Sequence, residues 1–180
     1  MMELSYFLQI CVFFFAVIGY LRGFYREFVA LAGILLGLFV LTEFDIVIDL
    51  LIGGGGARQR YLVTAVLLIA LTYFAYEQAP VSFAPRAYRR ARGVNLPGAD
   101  TWRERTLGAV VGAFNGYLVV GSLWYFMDQL EYPLEPLFMQ PLVGTTSADF
   151  VTLLPLVWLQ EGNLLLWLVV GLFLLVIVFR

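Results

Sequence analysis

The chain has 180 residues, of which 62% are hydrophobic and 13% charged, with a formal net charge of −2. A soluble domain usually carries about 25% charged residues, so the composition excludes an ordinary soluble protein and indicates a surface that faces lipid. There is no histidine, and the single cysteine is Cys11. This excludes histidine-based acid–base catalysis, histidine-ligated haem or zinc, and an internal disulfide. The charge balance gives no basic excess for binding nucleic acid.

Five segments are apolar enough to cross a membrane as helices, which takes about 20 residues. In chain order they are Leu4–Leu21, Phe28–Thr42, Tyr61–Tyr76, Thr106–Met127 and Leu164–Phe179. The second is short unless its helix also takes in Phe24 and Tyr25, and the fifth is expected to start before Leu164. The sequence therefore predicts an all-α fold, a polytopic membrane bundle of about five transmembrane helices.

The charges around these segments predict an orientation. The first segment follows Glu3 and precedes Arg22 and Arg26, an order inverted for a cleaved signal peptide, so we expect a retained helix. If successive connections lie on alternating sides of the membrane, one face carries Arg22, Arg26, Arg180 and the arginine-rich third connection. The positive-inside rule makes that face cytoplasmic. The result is N-out and C-in. A four-span arrangement ranks second, because it needs a re-entrant span or splits these arginines between compartments.

The third connection carries a basic stripe at helical spacing, formed by Arg86, Arg89 and Arg90. Such a stripe suits anionic lipid headgroups. It is also the pattern of solvated charges that only fix the orientation of the protein. This second interpretation is the favoured one, and headgroup contact is the alternative.

The segment 128–163 is acidic, contains no arginine and is expected outside the cytoplasm. Its prolines argue against a long helix in the first half, whereas Ser147 is predicted to cap a short helix with Asp149 in its first turn. That helix is predicted to have an apolar face made of Phe150, Val151, Leu154, Val157 and Trp158. The face is expected to lie on the membrane surface, to contact a partner, or to pack back on the bundle.

Small residues recur at every fourth position within the spans. The fourth span has Gly108, Gly112 and Gly116, and the second has Gly33 and Gly37. Glycine at this spacing lets another helix backbone approach closely. The glycines are expected to pack within the bundle, with contact to another subunit as the alternative. Asn115 lies among them and is expected to link two helices by a hydrogen bond rather than to bind a ligand.

Few polar residues lie within the spans, namely Gln9, Thr64, Thr72, Asn115 and Ser122. Intramembrane ionisable groups mark proton and ion paths, and none is expected near the middle of a span. Arg26 and Glu27 are assigned to the cytoplasmic interface as an ion pair or a headgroup contact. The sequence predicts no catalytic, cofactor or metal site, and the protein is expected not to be an enzyme.

Two short motifs occur in the sequence, one between the first two spans and one at the start of the fourth. The stretch 19–27 reads Gly-Tyr-Leu-Arg-Gly-Phe-Tyr-Arg-Glu, and it is similar to the G-x-x-R-G-F-x-R-E that lies between the first two helices in the colicin V production protein family. Arg105-Thr106-Leu107-Gly108, followed by Gly112 and Gly116, is similar to the opening of its fourth helix. The resemblance covers roughly residues 4–127. It divides the chain into a four-helix core (1–127), an acidic segment with a short interfacial helix (128–163) and a fifth helix (164–180).

The resemblance implies a small bacterial inner-membrane protein linked to colicin V export and envelope maintenance. The implied shared positions form a hairpin motif that consists of Gly19, Arg22, Gly23, Phe24, Arg26 and Glu27. In it, Gly23 would permit the tight turn, the arginines would sit at cytoplasmic headgroups, and Glu27 would pair with one of them.

Three functions fit the sequence. The first is a non-enzymatic scaffold or accessory subunit of a larger membrane assembly, which contacts the bilayer and other membrane subunits or further copies of itself. The second is a stand-alone envelope protein of the colicin V production type that assists secretion. The third, ranked last, is a component of a channel or transporter.

Overall fold

A computed structural model describes residues 4–77, 99–142 and 144–178, and this part of the chain is all-helical. The helices are α1 (Leu4–Arg22), α2 (Phe24–Glu43), α3 (Asp45–Ile52), α4 (Ala57–Glu77), α5 (Ala99–Gln129), α6 (Thr146–Val151), α7 (Pro155–Gln160) and α8 (Leu164–Val178). Five helical segments are long and apolar enough to cross a membrane: α1, α2, α4, Trp102–Gln129 of α5, and Thr146–Leu174, which leads into α8. The predicted fold class is confirmed.

Several helix boundaries differ from the predicted ones. α4 begins at Ala57 rather than Tyr61, and α5 begins at Ala99 rather than Thr106. α2 begins at Phe24 and so takes in the two aromatic residues that the sequence left optional. α8 begins at Leu164 and not earlier, because Gly162, in the 3-10 turn just before it, adopts a φ of 60° that interrupts the helix. This left-handed conformation favours glycine, which has no Cβ to clash.

α1 packs along α5, and glycines lie where the two helices come closest. A Cβ atom added to Gly112 would lie 2.9 Å from Gly19 Cα, and one added to Gly116 would lie 2.7 Å from Phe15 Cβ. A Cβ on Gly108 would lie 2.8 Å from the carbonyl carbon of Gly23. The two backbones are therefore in direct contact, and no larger side chain fits between them.

α2 packs on α4 and α5 and forms the centre of the bundle. A Cβ on Gly33 would lie 2.5 Å from Ala75 Cβ, and Gly37 faces Leu71 at 3.3 Å. The main apolar core lies beside these contacts, and its fully enclosed members include Leu38, Leu68 and Leu118. Thus the glycines of α2 and α5 face neighbouring helices of the same chain.

The acidic segment folds back onto the bundle. Thr145, and not Ser147 as predicted, caps α6, because the Thr145 hydroxyl accepts a hydrogen bond from the Ala148 N–H at 3.4 Å. Ser147 instead lies inside α6, and its hydroxyl donates to Ser5 Oγ on α1 at 3.1 Å. The expected single helix is broken before Pro155, and the segment buries Leu154, Leu156 and Leu159 against the core.

Tyr132 fixes the start of this segment to the end of α5. Its side chain is buried, and its hydroxyl accepts a hydrogen bond from Trp124 Nε1 at 3.0 Å. Burial raises the pKa of Tyr132 to about 12, so the phenol remains neutral near neutral pH. The chain therefore leaves α5 through a fixed turn.

The glycine contact gives a test with a matched control. Gly112→Ala should lower the melting temperature in mild detergent, since its methyl group would meet backbone atoms of α1 that cannot move aside, at a cost of about 1–3 kcal/mol. Gly171→Ala in α8 adds the same methyl group where nothing lies within 4 Å, and it should leave the melting temperature unchanged or higher. Equal melting temperatures for the two variants would contradict the tight α1–α5 contact.

Candidate functional site

Glu27 is a carboxylate enclosed within the helix bundle. It lies in the first turn of α2, one turn after the reversal at Gly23, and its side chain is 0% exposed. Gly23 has a φ of 84° and is the single residue between α1 and α2. Because Gly23 turns the chain so tightly, α2 heads straight back into the bundle and carries Glu27 inward.

Three side chains from three other helices converge on this carboxylate. Arg22 Nε at the end of α1 lies 3.4 Å from Glu27 Oε1. The Tyr76 hydroxyl on α4 donates to Glu27 Oε2 at 3.0 Å, and Asn115 Nδ2 on α5 donates to the same oxygen at 2.9 Å. Arg22, Glu27, Tyr76 and Asn115 are called the Glu27 cluster below. It joins α1, α2, α4 and α5 at one point.

Two further contacts tighten the cluster. Asn115 Nδ2 also donates to the backbone carbonyl of Glu27 at 3.1 Å, which holds α5 to the backbone of α2. Arg22 donates to the backbone carbonyl of Tyr76 at 2.8 Å, and its guanidinium carbon lies 4.4 Å from the centre of the Tyr76 ring. The side chain of Arg22 is 22% exposed, so the positive charge lies at the edge of the bundle while the negative charge lies inside.

The structure places Glu27 inside the helix bundle, where neighbouring helices enclose its side chain. Of the two arginines that were expected as its partner, Arg22 makes the ion pair. Asn115 links two helices as expected, with Glu27 as its partner. Phe24 lies at the start of α2, where its ring packs on Tyr25 and Phe28. Arg86, Arg89 and Arg90 lie outside the described residues.

Tyr76 is the member of the cluster that the sequence did not indicate. It was treated as the end of the third span, where tyrosine is common at the membrane interface. Nothing local marks it as the partner of a residue 49 positions earlier. The one available signal was its hydroxyl at the end of the third span, which is predicted to lie on the same side of the membrane as Arg22.

A second polar region lies at the opposite end of α2, α4 and α5. Arg60 Nη2 contacts the Asp45 carboxylate at 2.6 Å, and Nη1 lies 3.3 Å from Asp49. These pairs are largely exposed, and such surface pairs contribute about 0–1 kcal/mol. A pocket of about 240 Å³ adjoins them, and its polar lining includes Thr42, Thr64, Gln129 and Gln160.

An apolar layer separates this pocket from the Glu27 cluster. On α2, α4 and α5 respectively, Leu38, Leu68 and Leu118 lie between the two polar regions, and each is fully enclosed. Enclosed apolar side chains from three helices therefore lie between the two polar ends of this bundle. Among the described residues, no group of three histidine, cysteine, aspartate or glutamate residues is arranged to hold a metal ion.

Comparison of the chain with protein-family models, curated proteins and solved structures finds no match. The resemblance to the colicin V production family accordingly stays a prediction that rests on the two motifs. The hairpin motif nevertheless has a physical role in this chain, because Gly23 makes the turn and Arg22 and Glu27 form the ion pair.

Replacement of Arg22 and Glu27 should reveal their coupling. Arg22→Met leaves an uncompensated buried carboxylate, so it should lower the free energy of unfolding by about 3–5 kcal/mol. Glu27→Gln should cost less, since Arg22 can extend toward the interface. The double variant should be close to Glu27→Gln alone in a thermal-unfolding cycle. Arg26→Met, one turn away, is the control and should have a smaller effect than Arg22→Met. Additive effects of the two changes would show that the charges are not coupled.

Proposed function

We propose that this protein is a non-enzymatic scaffold, an accessory subunit that holds a defined helical shape within a larger membrane assembly. The observation that carries the proposal is the Glu27 cluster. Ionisable groups inside membrane proteins are functional candidates by default, and here they hydrogen-bond to one another across four helices. Such an arrangement supports a structural role more than a chemical one, because the described residues enclose the carboxylate completely.

The surface that we assign to the assembly is α8. The glycine rows and the acidic segment first suggested contacts with a partner, but both pack against other helices of this chain. α8 packs on α2 and α7 and presents large apolar side chains on its other sides, among them Trp167 and Phe173, which are 66% and 67% exposed. We propose a hydrophobic helix of another membrane subunit as its neighbour, with a second copy of this chain as the alternative.

The proposed location is the bacterial inner (cytoplasmic) membrane, with the N-terminus outside and the C-terminus inside. The positions of the helix ends support a chain whose connections lie on alternating sides of the membrane. Ser5 is hydrogen-bonded to Ser147 at the end of the bundle where α1 begins and α5 ends. Arg22 and Tyr76 meet at the other end. The arginine distribution then selects which end is cytoplasmic.

The second candidate function is a stand-alone envelope protein of the colicin V production type. It is supported by the motif resemblance and by the physical role of Arg22, Gly23 and Glu27 in the hairpin. A channel or transporter component ranks third. The buried Glu27 favours it, whereas the apolar layer of Leu38, Leu68 and Leu118 opposes it.

Native purification tests the scaffold proposal. The tagged protein, extracted in mild detergent, should co-purify with other membrane subunits at fixed stoichiometry. Trp167→Leu with Phe173→Leu should weaken that association, because leucine preserves membrane insertion but removes the aromatic contacts. Phe13→Leu with Phe14→Leu is the matched control on the exposed face of α1. A lone monomer or a homo-oligomer of this chain would overturn the subunit role in favour of the stand-alone protein.

Cysteine labelling tests the orientation. In a Cys11→Ser background, a cysteine placed at Gly54 between α3 and α4 should react with a membrane-impermeant maleimide added outside intact inner-membrane spheroplasts. A cysteine placed at Glu104, near the start of α5, should react only after the membrane is opened. The reverse pattern would show that the chain is oriented N-in.

A further inference from the structure

A crevice of about 670 Å³ lies at the end of the bundle where α1 begins. One wall is the first turn of α1, with Leu4 and Phe7, and another is the irregular stretch 136–142 of the acidic segment. Thr145 and Ser147 at the start of α6 complete the lining. This space is called the α1 crevice below, and it lies at the opposite end of α1 from the ion pair described above.

The lining of the α1 crevice is apolar. None of the described residues that form it is charged, and Gln140 is its one amide side chain. Its two hydroxyl groups are engaged within the protein. Thr145 donates to the Leu142 carbonyl at 2.7 Å, and Ser147 donates to Ser5 Oγ at 3.1 Å. The α1 crevice therefore suits an uncharged, apolar occupant.

Phe7 also belongs to the surface of α1 that faces lipid. It shares one face of the helix with Ile10 and Phe14, and all three side chains are exposed. Exposed apolar side chains of a helix that crosses a membrane contact the hydrocarbon of the bilayer. The α1 crevice is therefore continuous with a surface that lipid covers.

The stretch 136–142 exposes further apolar side chains beside this surface. Leu137 and Leu142 are 78% and 77% exposed, and the sequence has no charged residue between Glu135 and Asp149. Exposed apolar patches of this kind mark contact with a membrane or with another protein. Their place at the end of a membrane-spanning helix puts these side chains at the level of the membrane interface.

We propose that the α1 crevice binds one acyl chain of a membrane phospholipid, which enters from the lipid-covered face of α1 beside Phe7. Leu4 and Phe7 contact the acyl chain from one side, and the stretch 136–142 contacts it from the other. The hydrogen bond between Ser5 and Ser147 ties the acidic segment to α1 and so holds the two walls together. Such a lipid would be held by one copy of this protein, with or without partner subunits.

The volume of the α1 crevice favours an acyl chain over a helix of another protein. A helix with its side chains is about 10–12 Å across, so the crevice would hold fewer than about two turns of one. An acyl chain is narrow and flexible and can fill an irregular space. The volume also lies within the range of about 300–1,000 Å³ that is usual for small-molecule sites.

Native mass spectrometry tests the site. The protein is reconstituted in vesicles of phosphatidylethanolamine and phosphatidylglycerol, extracted again in mild detergent and washed free of bulk lipid. We expect one phospholipid to stay bound per protein molecule. Met139→Glu and Leu142→Glu should each abolish this retention, because each places a carboxylate in the α1 crevice. Both side chains are exposed, so the helix content and the melting temperature should stay close to those of the unmodified protein.

Leu153→Glu is the matched control for these two variants. Leu153 is an exposed leucine of the same acidic segment, but it does not line the α1 crevice. The control variant should retain the phospholipid. Loss of the lipid from all three variants alike would overturn the assignment to the α1 crevice, and so would an unmodified protein that retains no phospholipid.

Photolabelling in intact vesicles distinguishes a bound lipid from the lipid that surrounds every span. A phospholipid with a diazirine on its acyl chain should label Phe7 and the stretch 136–142. Met139→Glu should remove that labelling and leave the labelling of Phe13, on the exposed face of α1, unchanged. Labelling that is even over all exposed faces and survives Met139→Glu would overturn the proposal. A change of oligomeric state in Met139→Glu would also overturn it, in favour of a second copy of this protein in the crevice.

Discussion

The burial of the Glu27 carboxylate is the constraint on which the rest of this bundle depends. The interior of a bilayer offers no solvent to a charged or polar group, so the protein itself must supply the compensating partners. Arg22, Tyr76 and Asn115 supply them from the ends of α1 and α4 and from α5. The carboxylate keeps these partners only if the four helices meet at one point and each is rotated so that its polar side chain faces Glu27.

The close α1–α5 contact makes this meeting possible. Because Gly19, Gly108 and Gly112 allow the two backbones to touch, α1 ends directly beside Gly108 of α5, and its last residue, Arg22, reaches the cluster. Gly23 then turns α2 into the bundle with only one residue between the helices. The packing glycines and the hairpin motif, which are separate patterns in the sequence, act together in the structure.

Composition and hydropathy alone are enough to predict the all-α fold and the five spans, since lipid admits few alternatives to helices. The glycine spacing likewise points to close helix contacts, and Asn115 to a polar link. The position of Glu27 could not be read in the same way. Its place beside a turn is typical of an interfacial residue, and its burial depends on Tyr76 and Asn115, which are 49 and 88 positions away. The role of Ser147 was likewise not visible locally, because its hydroxyl donates to Ser5 on another helix while Thr145 caps α6.

An ion pair in such a position specifies the fold more than it stabilises it, because well-packed apolar residues often replace buried charges without loss. α4 shows why specification is needed here: its apolar residues are spread around the helix, so hydrophobicity alone does not select the face that packs on α2. The hydrogen bond from Tyr76 to Glu27 does select it, since any other rotation of α4 would leave the carboxylate with one donor fewer. Apolar packing alone would not select this one arrangement of the helices. The polar joint does select it, which suits a protein whose proposed task is to hold a fixed shape for its neighbours.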